Sequence, residues 1–479
     1  MNKFFRNYIY NFLYQFFILI TPIITTPYIS RVIGAEGIGV YSYTLSLSTY
    51  FMYVASLGLP IYGQRQTSFY QDNKFERSKH FFEVLFTRLF SSMVIFFVYV
   101  GYIWFFEDRF FLIALLQGIG ILSAVFDISW FFAGMEEFKS IVARNILIKL
   151  GTIFAIFLFV NDQSDLYIYV LCLTLTNLLG NISLFLLLPK YIHKVPIKDL
   201  CYLRNIKSAL KLLLPSLMIQ IYTVIDKTLL GKMGSSFSEV GFYEQSQKII
   251  SLCIALVSSL GTVLLPRISF LYSQNDNKSI ERYINLSIRV TLFTTLPLVL
   301  GMVGVTDNFV PWFFGTGFEK VKLLLLIFSP LILIMGINSV IGMQYLIAIN
   351  RELVLTKYLL YGTLINITLD VILIPHLDSI GTAIATLIAE CSVMFFLLYN
   401  IKKEIHVSIK IKTCINYVVS SIIMFLTIVS IKVYYDLSPT ILNTLLLIAI
   451  GGLAYISVLY FFKDEYVKLV TKIIKIKGK

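Results

Sequence analysis

The sequence predicts an all-α integral membrane protein with fourteen transmembrane helices. The chain has 479 residues, of which 57% are hydrophobic and 14% are charged, whereas roughly a quarter of the residues of a soluble protein are charged. The apolar runs are about 20 residues long, the length that an α-helix needs to cross a bilayer core of about 30 Å. These runs do not alternate as the strands of a membrane β-barrel do.

Polar interruptions divide the chain into the fourteen predicted spans. They cover residues 8–29, 42–63, 81–106, 110–133, 145–160, 166–188, 208–230, 244–265, 284–306, 323–345, 355–374, 380–399, 413–431 and 439–462. The first run contains Asn11 and Gln15 and leads directly into further spans. This is typical of an uncleaved helix and not of a signal peptide.

The distribution of cations predicts how the spans are oriented, because cytoplasmic loops of membrane proteins are rich in Lys and Arg. The segments on the same side as the termini hold 29 of the 40 Lys and Arg residues, and the opposite loops hold six. We therefore expect both termini in the cytoplasm. The formal net charge of +13 is then mostly an inner surface facing anionic lipid, and it requires no nucleic acid.

An internal repeat predicts two parallel lobes. The stretch GVYSYTLSLSTYFMYVASLG (39–58) is echoed six spans later by GFYEQSQKIISLCIALVSSLG (241–261). Six spans preserve orientation, and parallel repeats typically form two bundles with a substrate site between them. The alternative is coincidence within apolar sequence. We expect a six-helix lobe at 1–190, a second at 191–402, and two extra helices with a basic cytoplasmic tail at 403–479.

Ten of the charged residues that lie within or at the edge of the predicted spans are candidates for function. A charge at the centre of a membrane helix costs about 3 kcal/mol on insertion scales, so these residues should face protein, water or ligand. The cations are Arg88, Lys149, Lys227, Lys248 and Arg289, and the anions are Asp127, Asp226, Glu244, Asp370 and Glu390.

Arg88, Arg289 and Lys149 are the predicted substrate-binding residues. The two arginines lie in spans three and nine, which are equivalent in the repeat. Guanidinium groups bind phosphate through two parallel hydrogen bonds and keep their charge. We therefore expect a phosphate-bearing substrate in a cleft that opens to the cytoplasm. The alternatives are snorkelling of each arginine to the headgroups and a packing role for Lys149.

An outer gate is predicted near the ends of spans one, seven and eight. Glu244 and Lys248 are spaced i, i+4, which favours an ion pair on one helical face, and the alternative to a gate is that this pair is purely structural. Adjacent residues on a helix point in different directions, so Asp226 and Lys227 need partners on other helices. Arg31, at the equivalent helix end of the first half, completes the predicted set.

Three carboxyl groups are candidates for binding a coupling ion. Burial favours the protonated form of an isolated carboxyl group. Glu390 is preferred because it lies in mid-span, followed by Asp370, whereas Asp127 is near the inner end of its span and has a packing role as its alternative. We expect no cofactor and no metal, since the five cysteines have no metal or redox spacing.

Several stretches resemble the polysaccharide-transport flippases, which move O-antigen and capsule repeat units. They are PYISRVIGAEGIGVYSYT (27–44), DISWFFAGMEEFK (127–139), TVIDKTLLG (223–231), GFYEQSQKI (241–249), LLPRIS (264–269) and QYLIAINRE (344–352). The superfamily also contains multidrug exporters and lipid II flippases. The resemblance extends over residues 1–400 or so and implies a V-shaped pair of six-helix bundles with a central cleft.

The same resemblance implies a function. An undecaprenyl-pyrophosphate-linked oligosaccharide would move from the inner to the outer leaflet of the bacterial cytoplasmic membrane by alternating access, driven by a proton or sodium gradient. Spans thirteen and fourteen would border a groove for the polyprenyl tail, and polymerase or export machinery would be a further partner.

Two other functions stay open from the sequence. Export of drugs or small cations, within the same superfamily, would require an aromatic or acidic pocket without phosphate-binding arginines. A membrane-embedded polysaccharide polymerase or ligase would require a sizeable loop for its acceptor and acid-base groups. No segment between the predicted spans is long enough for that role, so we expect a transporter and not an enzyme.

Overall fold

The computed structural model describes residues 17, 20–201, 206–402 and 411–464. Over these ranges the regular structure is helical and contains no β-strand. Eleven helical segments in them are long and apolar enough to cross a membrane. The protein is therefore a multi-pass, all-α membrane protein, as predicted. Most of the predicted first span and most of the predicted tail lie outside the described residues.

The helices are numbered here in chain order. They are α1 (20–32), α2 (Gly34–Ser56), α3 (Leu59–Phe69), α4 (Lys74–Phe106), α5 (Phe111–Phe126), α6 (Ser129–Gly134), α7 (Phe138–Phe159), α8 (Leu166–Ser183), α9 (Ile206–Met233), α10 (Phe237–Ser273), α11 (Asn277–Phe314), α12 (Glu319–Ser339), α13 (Glu352–Leu377), α14 (Ser379–Ile401), α15 (Ile411–Tyr435) and α16 (Ile441–Phe461). A π-helical segment, Val340–Leu346, continues α12.

Polar side chains fix where several of these helices begin. Asn73, Asp276 and Thr440 each accept a hydrogen bond from a backbone N–H in the first turn of α4, α11 and α16, respectively. Such caps satisfy donors that have no partner within the helix. At Asp276 the hydrogen bonds with Ser279 lower the pKa of the carboxyl group, so the cap is charged at neutral pH.

The second and fourth predicted spans are each broken in two, which corrects the prediction of continuous helices. α2 ends because Leu57 and Gly58 adopt left-handed φ angles of 51° and 72°, and Pro60 then lies in the first turn of α3. α5 ends at Asp127, whose ψ of 93° is extended. Both breaks lie within apolar runs, which is why hydropathy alone did not reveal them.

The chain forms two compact units. The first comprises Met1–Lys232 and Ser236–Gly241, and the second comprises Met233–Ser235 and Phe242–Lys479. The second predicted lobe begins at residue 191, whereas α9 up to Lys232 lies in the first compact unit. The predicted lobes and the separate C-terminal pair of helices stay predictions.

In the first unit α2 packs on α4 and α5, α8 packs on α5 and α7, and the short α3 packs on the short α6. Buried aromatic rings of α4 and α6, including Phe81, Trp130 and Phe131, form the core between these elements. In the second unit α11 packs on α12, α15 and α16, and α14 packs on α12 and α13. A second core lies between α11, α15 and α16 around Tyr417, Met424 and Tyr455.

The two glycines that begin the sequence repeat make a reciprocal close contact within the first unit. A Cβ on Gly39 would lie 1.7 Å from the carbonyl oxygen of Phe237, and a Cβ on Gly241 would lie 2.0 Å from that of Ala35. Gly39 therefore faces the residue four positions before Gly241, and Gly241 faces the residue four positions before Gly39. Only a residue without a side chain fits at either position, since α2 and the start of α10 touch through their backbones.

Candidate functional site

The breaks in α2–α3 and α5–α6 leave backbone carbonyls that lipid cannot satisfy. At each break, one side chain of α4 donates a hydrogen bond to one of these carbonyls. Arg88 donates from Nη1 to the carbonyl of Asp127 at 2.7 Å, and Ser91 donates from Oγ to the carbonyl of Ala55 at 2.7 Å. One face of α4 therefore stabilises both interruptions.

A cavity of about 480 Å³, here called the Arg88 pocket, lies against these breaks. It is lined by Met52, Tyr53, Ser56, Gly58, Pro60, Ile61, Arg88, Ala124 and Gln220. Arg88 is only 4% exposed, and its Nε has no hydrogen-bond partner among the described residues. A buried guanidinium that lines a cavity and has donors to spare is suited to an anionic ligand.

A chain of polar contacts holds Asp127 in place below Arg88. Arg144 of α7 donates from Nη1 to Asp127 Oδ1 at 3.2 Å and to Asn181 Oδ1 at 2.5 Å. Asn181 in turn donates from Nδ2 to the hydroxyl and carbonyl oxygens of Ser123, at 3.0 and 3.2 Å. The cluster has two guanidinium groups and one carboxylate, so it keeps a surplus positive charge at Arg88.

Arg144 and Asn181 were not among the predicted site residues. Arg144 was assigned to an inner loop because the predicted span began at residue 145, but α7 begins at Phe138 and places Arg144 inside the helix, only 8% exposed. The predicted coupling residue Asp127 is engaged by this arginine, and its role as a coupling group stays a prediction.

Arg289 has a different environment, in the second unit. Its Nε donates to the Tyr417 hydroxyl at 3.2 Å, and its Nη2 lies 3.5 Å from Asp464 Oδ2. Tyr417 also donates to Asp464 Oδ2, at 3.2 Å. Arg289 thus connects α11 with α15 and with Asp464, which lies three residues beyond the end of α16. That Arg88 and Arg289 bind one substrate together stays a prediction.

Lys149 of α7 lines a second cavity of the first unit, here called the Lys149 cavity, with a volume of about 400 Å³. The lining residues are Tyr41, Leu45, Met52, Gln117, Gly120, Asn145, Ile148, Lys149, Thr152, Leu173, Thr174 and Asn177. Met52 lines both this cavity and the Arg88 pocket. The two cavities are therefore neighbours, and the predicted cations Arg88 and Lys149 lie in different ones.

The predicted coupling carboxylates of the second unit are both buried. Glu390 of α14 is 4% exposed and accepts a hydrogen bond at Oε2 from Asn338 Nδ2 of α12 at 2.8 Å. Asp370 of α13 is fully buried, and Asn366 lies one turn before it at 1% exposure. Both positions are compatible with the binding of a proton or a small cation.

The predicted gate residues are divided between the two units. In the first, Arg31 is exposed and donates to the carbonyl of Pro27 at 3.0 Å, whereas Asp226 is only 3% exposed. In the second, Glu244 and Lys248 form the expected i, i+4 ion pair, at 4.0 Å. Lys227 of the first unit is half-buried. A gate made of these residues stays a prediction.

Thr228, next to Lys227, makes the polar contact between α9 and α2 that sequence reasoning overlooked. Its hydroxyl lies 2.8 Å from Ser46 Oγ and 2.9 Å from the Tyr50 hydroxyl.

A third cavity, of about 560 Å³, lies in the second unit between α10, α11, α15 and α16. Its walls are apolar and include Leu256, Phe293, Met302, Met424 and Ile448. Such a cavity is suited to a hydrocarbon chain, and no charged side chain lines it.

Comparisons with known proteins agree with this architecture. Residues 4–271 match the family described as polysaccharide biosynthesis protein. A protein of Escherichia coli (strain K12) named as a candidate O-antigen transporter is 24% identical over 409 residues, covering 83% of this chain and 97% of the relative. A lipid II flippase of Bacillus subtilis (strain 168) is 25% identical over 182 residues, covering 37% of this chain and 33% of that relative.

Two solved structures show where the fold belongs. A lipid II flippase in an inward closed conformation has a TM-score of 0.72 at 20% identity, covering 97% of this chain and all of the other. An inward-facing multidrug transporter has a TM-score of 0.61 at 13% identity, covering 80% of this chain and 98% of the other. At these identities the likeness extends to the fold alone. Since the family match covers more than half of the residues, the chain belongs to the polysaccharide biosynthesis protein family.

Proposed function

We propose that the protein is a flippase that moves lipid-linked oligosaccharide repeat units across the bacterial cytoplasmic membrane for the synthesis of a surface polysaccharide. The central observation is Arg88, a buried guanidinium that lines a cavity beside two helix breaks. An undecaprenyl-pyrophosphate head carries a charge that hydrocarbon cannot solvate, and guanidinium donors replace the water that is lost. The relatives named for O-antigen transport and lipid II flipping support this substrate class.

The proposal assigns the polyprenyl tail to the apolar cavity of the second unit. Two of the four helices around this cavity are α15 and α16, which correspond to predicted spans thirteen and fourteen. Phe293 and Met424 offer the hydrocarbon a surface that needs no polar partner.

The membrane topology follows from the predicted spans. Fourteen helices in two parallel six-helix bundles with two C-terminal helices would place both termini in the cytoplasm. The cleft would open to each side in turn, driven by a proton or sodium gradient. The reaction is transport without covalent chemistry, and a polymerase or export complex would receive the product.

The first test is Arg88→Ala, which removes the proposed ligand of the pyrophosphate. We expect export of the surface glycan to fall about 100-fold, since hydrogen bonds to charged groups contribute about 1.5–3 kcal/mol each. Lipid-linked repeat units should accumulate in a form that a membrane-impermeant glycosidase cannot reach. Export is compared per molecule of membrane-inserted protein, because the variant also loses the hydrogen bond to the carbonyl of Asp127.

The matched control is Arg65→Ala, which removes an exposed arginine of α3 in the same unit. It should leave export normal. Arg88→Lys should restore export only in part, because an ammonium keeps the charge but lacks the planar fork. Normal export by Arg88→Ala would refute the assigned site, and accumulation of units on the outer face would indicate a polymerase instead.

A second test concerns the coupling ion. Glu390→Gln keeps the side-chain shape but removes the ionisable group that contacts Asn338. We expect gradient-driven transport into vesicles to fall about tenfold and to lose its dependence on pH. Asp370→Asn tests the alternative carboxylate in the same assay. Unchanged transport at every pH in the Glu390 variant would exclude this residue as the coupling group.

A further inference from the structure

The walls of the Lys149 cavity have the chemistry of a sugar site. Three amide side chains, Gln117, Asn145 and Asn177, line it together with threonine and tyrosine hydroxyls. Amides and hydroxyls offer donors and acceptors in both directions, which is what the adjacent hydroxyl groups of a sugar require. The apolar cavity of the second unit has no such set.

Gln117 shows that this cavity has an unmet hydrogen-bonding requirement. Its side chain on α5 is only 3% exposed, and its Nε2 has no hydrogen-bond partner among the residues that the structure describes. Buried amide donors are almost always hydrogen-bonded in folded proteins. The amide lines the cavity, so a ligand with acceptor oxygens would satisfy it.

Lys149 adds a charge to this site. It is the one charged residue among those that line the cavity, it is half-buried, and it forms no ion pair within the described ranges. An ammonium group within a membrane helix is stable when it meets an anion or water. A ligand that carries both hydroxyl groups and a carboxylate or phosphate would match the amides and the lysine together.

The position of this cavity relative to the Arg88 pocket matches the order of groups in the substrate. Met52 lines both sites, so they lie on either side of one side chain of α2. In a lipid-linked glycan the first sugars directly follow the pyrophosphate. We propose that the Lys149 cavity binds an anionic sugar of the repeat unit while Arg88 binds the pyrophosphate. This inference rests on the proposed function and deepens it by naming the class of sugar.

The experiment measures binding of small probes to the purified full-length protein in detergent micelles. D-glucuronate and D-glucose are followed by ligand-observed proton NMR, and inorganic pyrophosphate is followed by phosphorus NMR. Wild-type protein should bind glucuronate more tightly than glucose. Lys149→Gln should weaken the binding of glucuronate about tenfold, as expected for the loss of a hydrogen bond to a charged group, and should remove the preference for glucuronate over glucose.

Two amide variants test the rest of the wall. Gln117→Leu and Asn177→Ala should each weaken the binding of both sugars several-fold without changing the binding of pyrophosphate. Asn177 is exposed, so its variant should fold even where a change at the buried Gln117 does not. Arg88→Gln should show the converse pattern, with weaker pyrophosphate and unchanged sugar binding. Lys139→Gln, an exposed lysine of the same helix α7, is the matched control and should change nothing.

Several results would overturn the proposal. Wild-type protein that binds no glucuronate at millimolar concentrations would refute it, and so would equal binding by the Lys149 variant. Loss of pyrophosphate binding in Lys149→Gln would place the lysine in the phosphate site instead. Normal export by Arg88→Ala with intact glucuronate binding would reject the proposed pyrophosphate site and leave the sugar site standing.

Discussion

Asp127 joins two functions of the first unit at the scale of single residues. Its carbonyl oxygen accepts the Arg88 hydrogen bond, and its carboxylate accepts that of Arg144. The position of Arg88 therefore depends on residues that do not line its pocket. Arg144 and Asn181 are positioning residues in this sense, since they act on Arg88 through Asp127.

We predict that Arg144→Gln lowers stability and export together. The variant loses an ion pair in which the arginine is buried and the carboxylate is 37% exposed. We therefore expect the free energy of unfolding to fall by about 1–2 kcal/mol. Detergent-titration unfolding of the purified protein measures this, with Arg65→Gln as the exposed control.

A double-mutant cycle with Asp127→Asn then isolates the pair. If the effects of the two substitutions are additive, the contact does not contribute to stability. A coupling of about 1 kcal/mol would instead confirm that Arg144 acts through Asp127.

Sequence reasoning at this scale found the charges but not their partners. Arg88 and Arg289 occupy equivalent spans, so they were expected to be alike. One lies against a helix break 39 residues away, and the other lies against a tyrosine 128 residues away. Neither partner could be predicted, because no spacing rule connects such distant positions.

At the scale of the elements, the contact between Gly39 and Gly241 limits how α2 and α10 can vary. We predict that Gly39→Ala costs about 1–3 kcal/mol in the free energy of unfolding, because the new methyl group overlaps a backbone carbonyl that cannot move alone. Detergent-titration unfolding provides the measurement.

Gly101→Ala is the matched control for this change. A Cβ at Gly101, on α4, would meet no atom within 4 Å, and alanine is the better helix former. That variant should be neutral or slightly stabilising. Equal stability of the two variants would show that α2 and α10 separate easily.

The broken helices show which local signals hydropathy reading overlooks. Leu57, Gly58 and Pro60 lie within one predicted span, and the Leu-Gly-Leu-Pro run is a turn signal in its own right. Because the apolar character continues across this run, the hydropathy averaged over about 20 residues indicates a single helix. At Asp127 the signal is weaker, because an isolated acidic residue was also compatible with an intact helix.

At the scale of the whole molecule, the positive-inside pattern makes a topology prediction. In a variant whose five native cysteines are replaced by serine, Gln71→Cys should react with a membrane-impermeant maleimide only in inside-out vesicles. Asp162→Cys should react only in intact cells. Both residues lie between long helices of the first unit. Labelling of both positions from one side would contradict the orientation and the count of spans between them.

The fold class was predictable from composition, since no soluble fold accommodates 57% hydrophobic residues in runs of this length. Helices such as α13 and α14 begin and end within a few residues of the predicted positions. The predicted lobes stay predictions, but the division into compact units could not be read from hydropathy, because α9 follows a basic loop and yet groups up to Lys232 with the preceding helices. Tertiary packing decides that grouping, and hydropathy does not report it.

The contacts among Arg289, Tyr417 and Asp464 have a practical consequence for protein engineering. The carboxylate of Asp464 lies three residues beyond the end of α16. A reporter or purification tag fused at residue 479 keeps all three residues in the chain. A chain shortened to residue 463 would instead deprive α11 of its anionic contact, and such a deletion would alter the second unit as well as removing the tail.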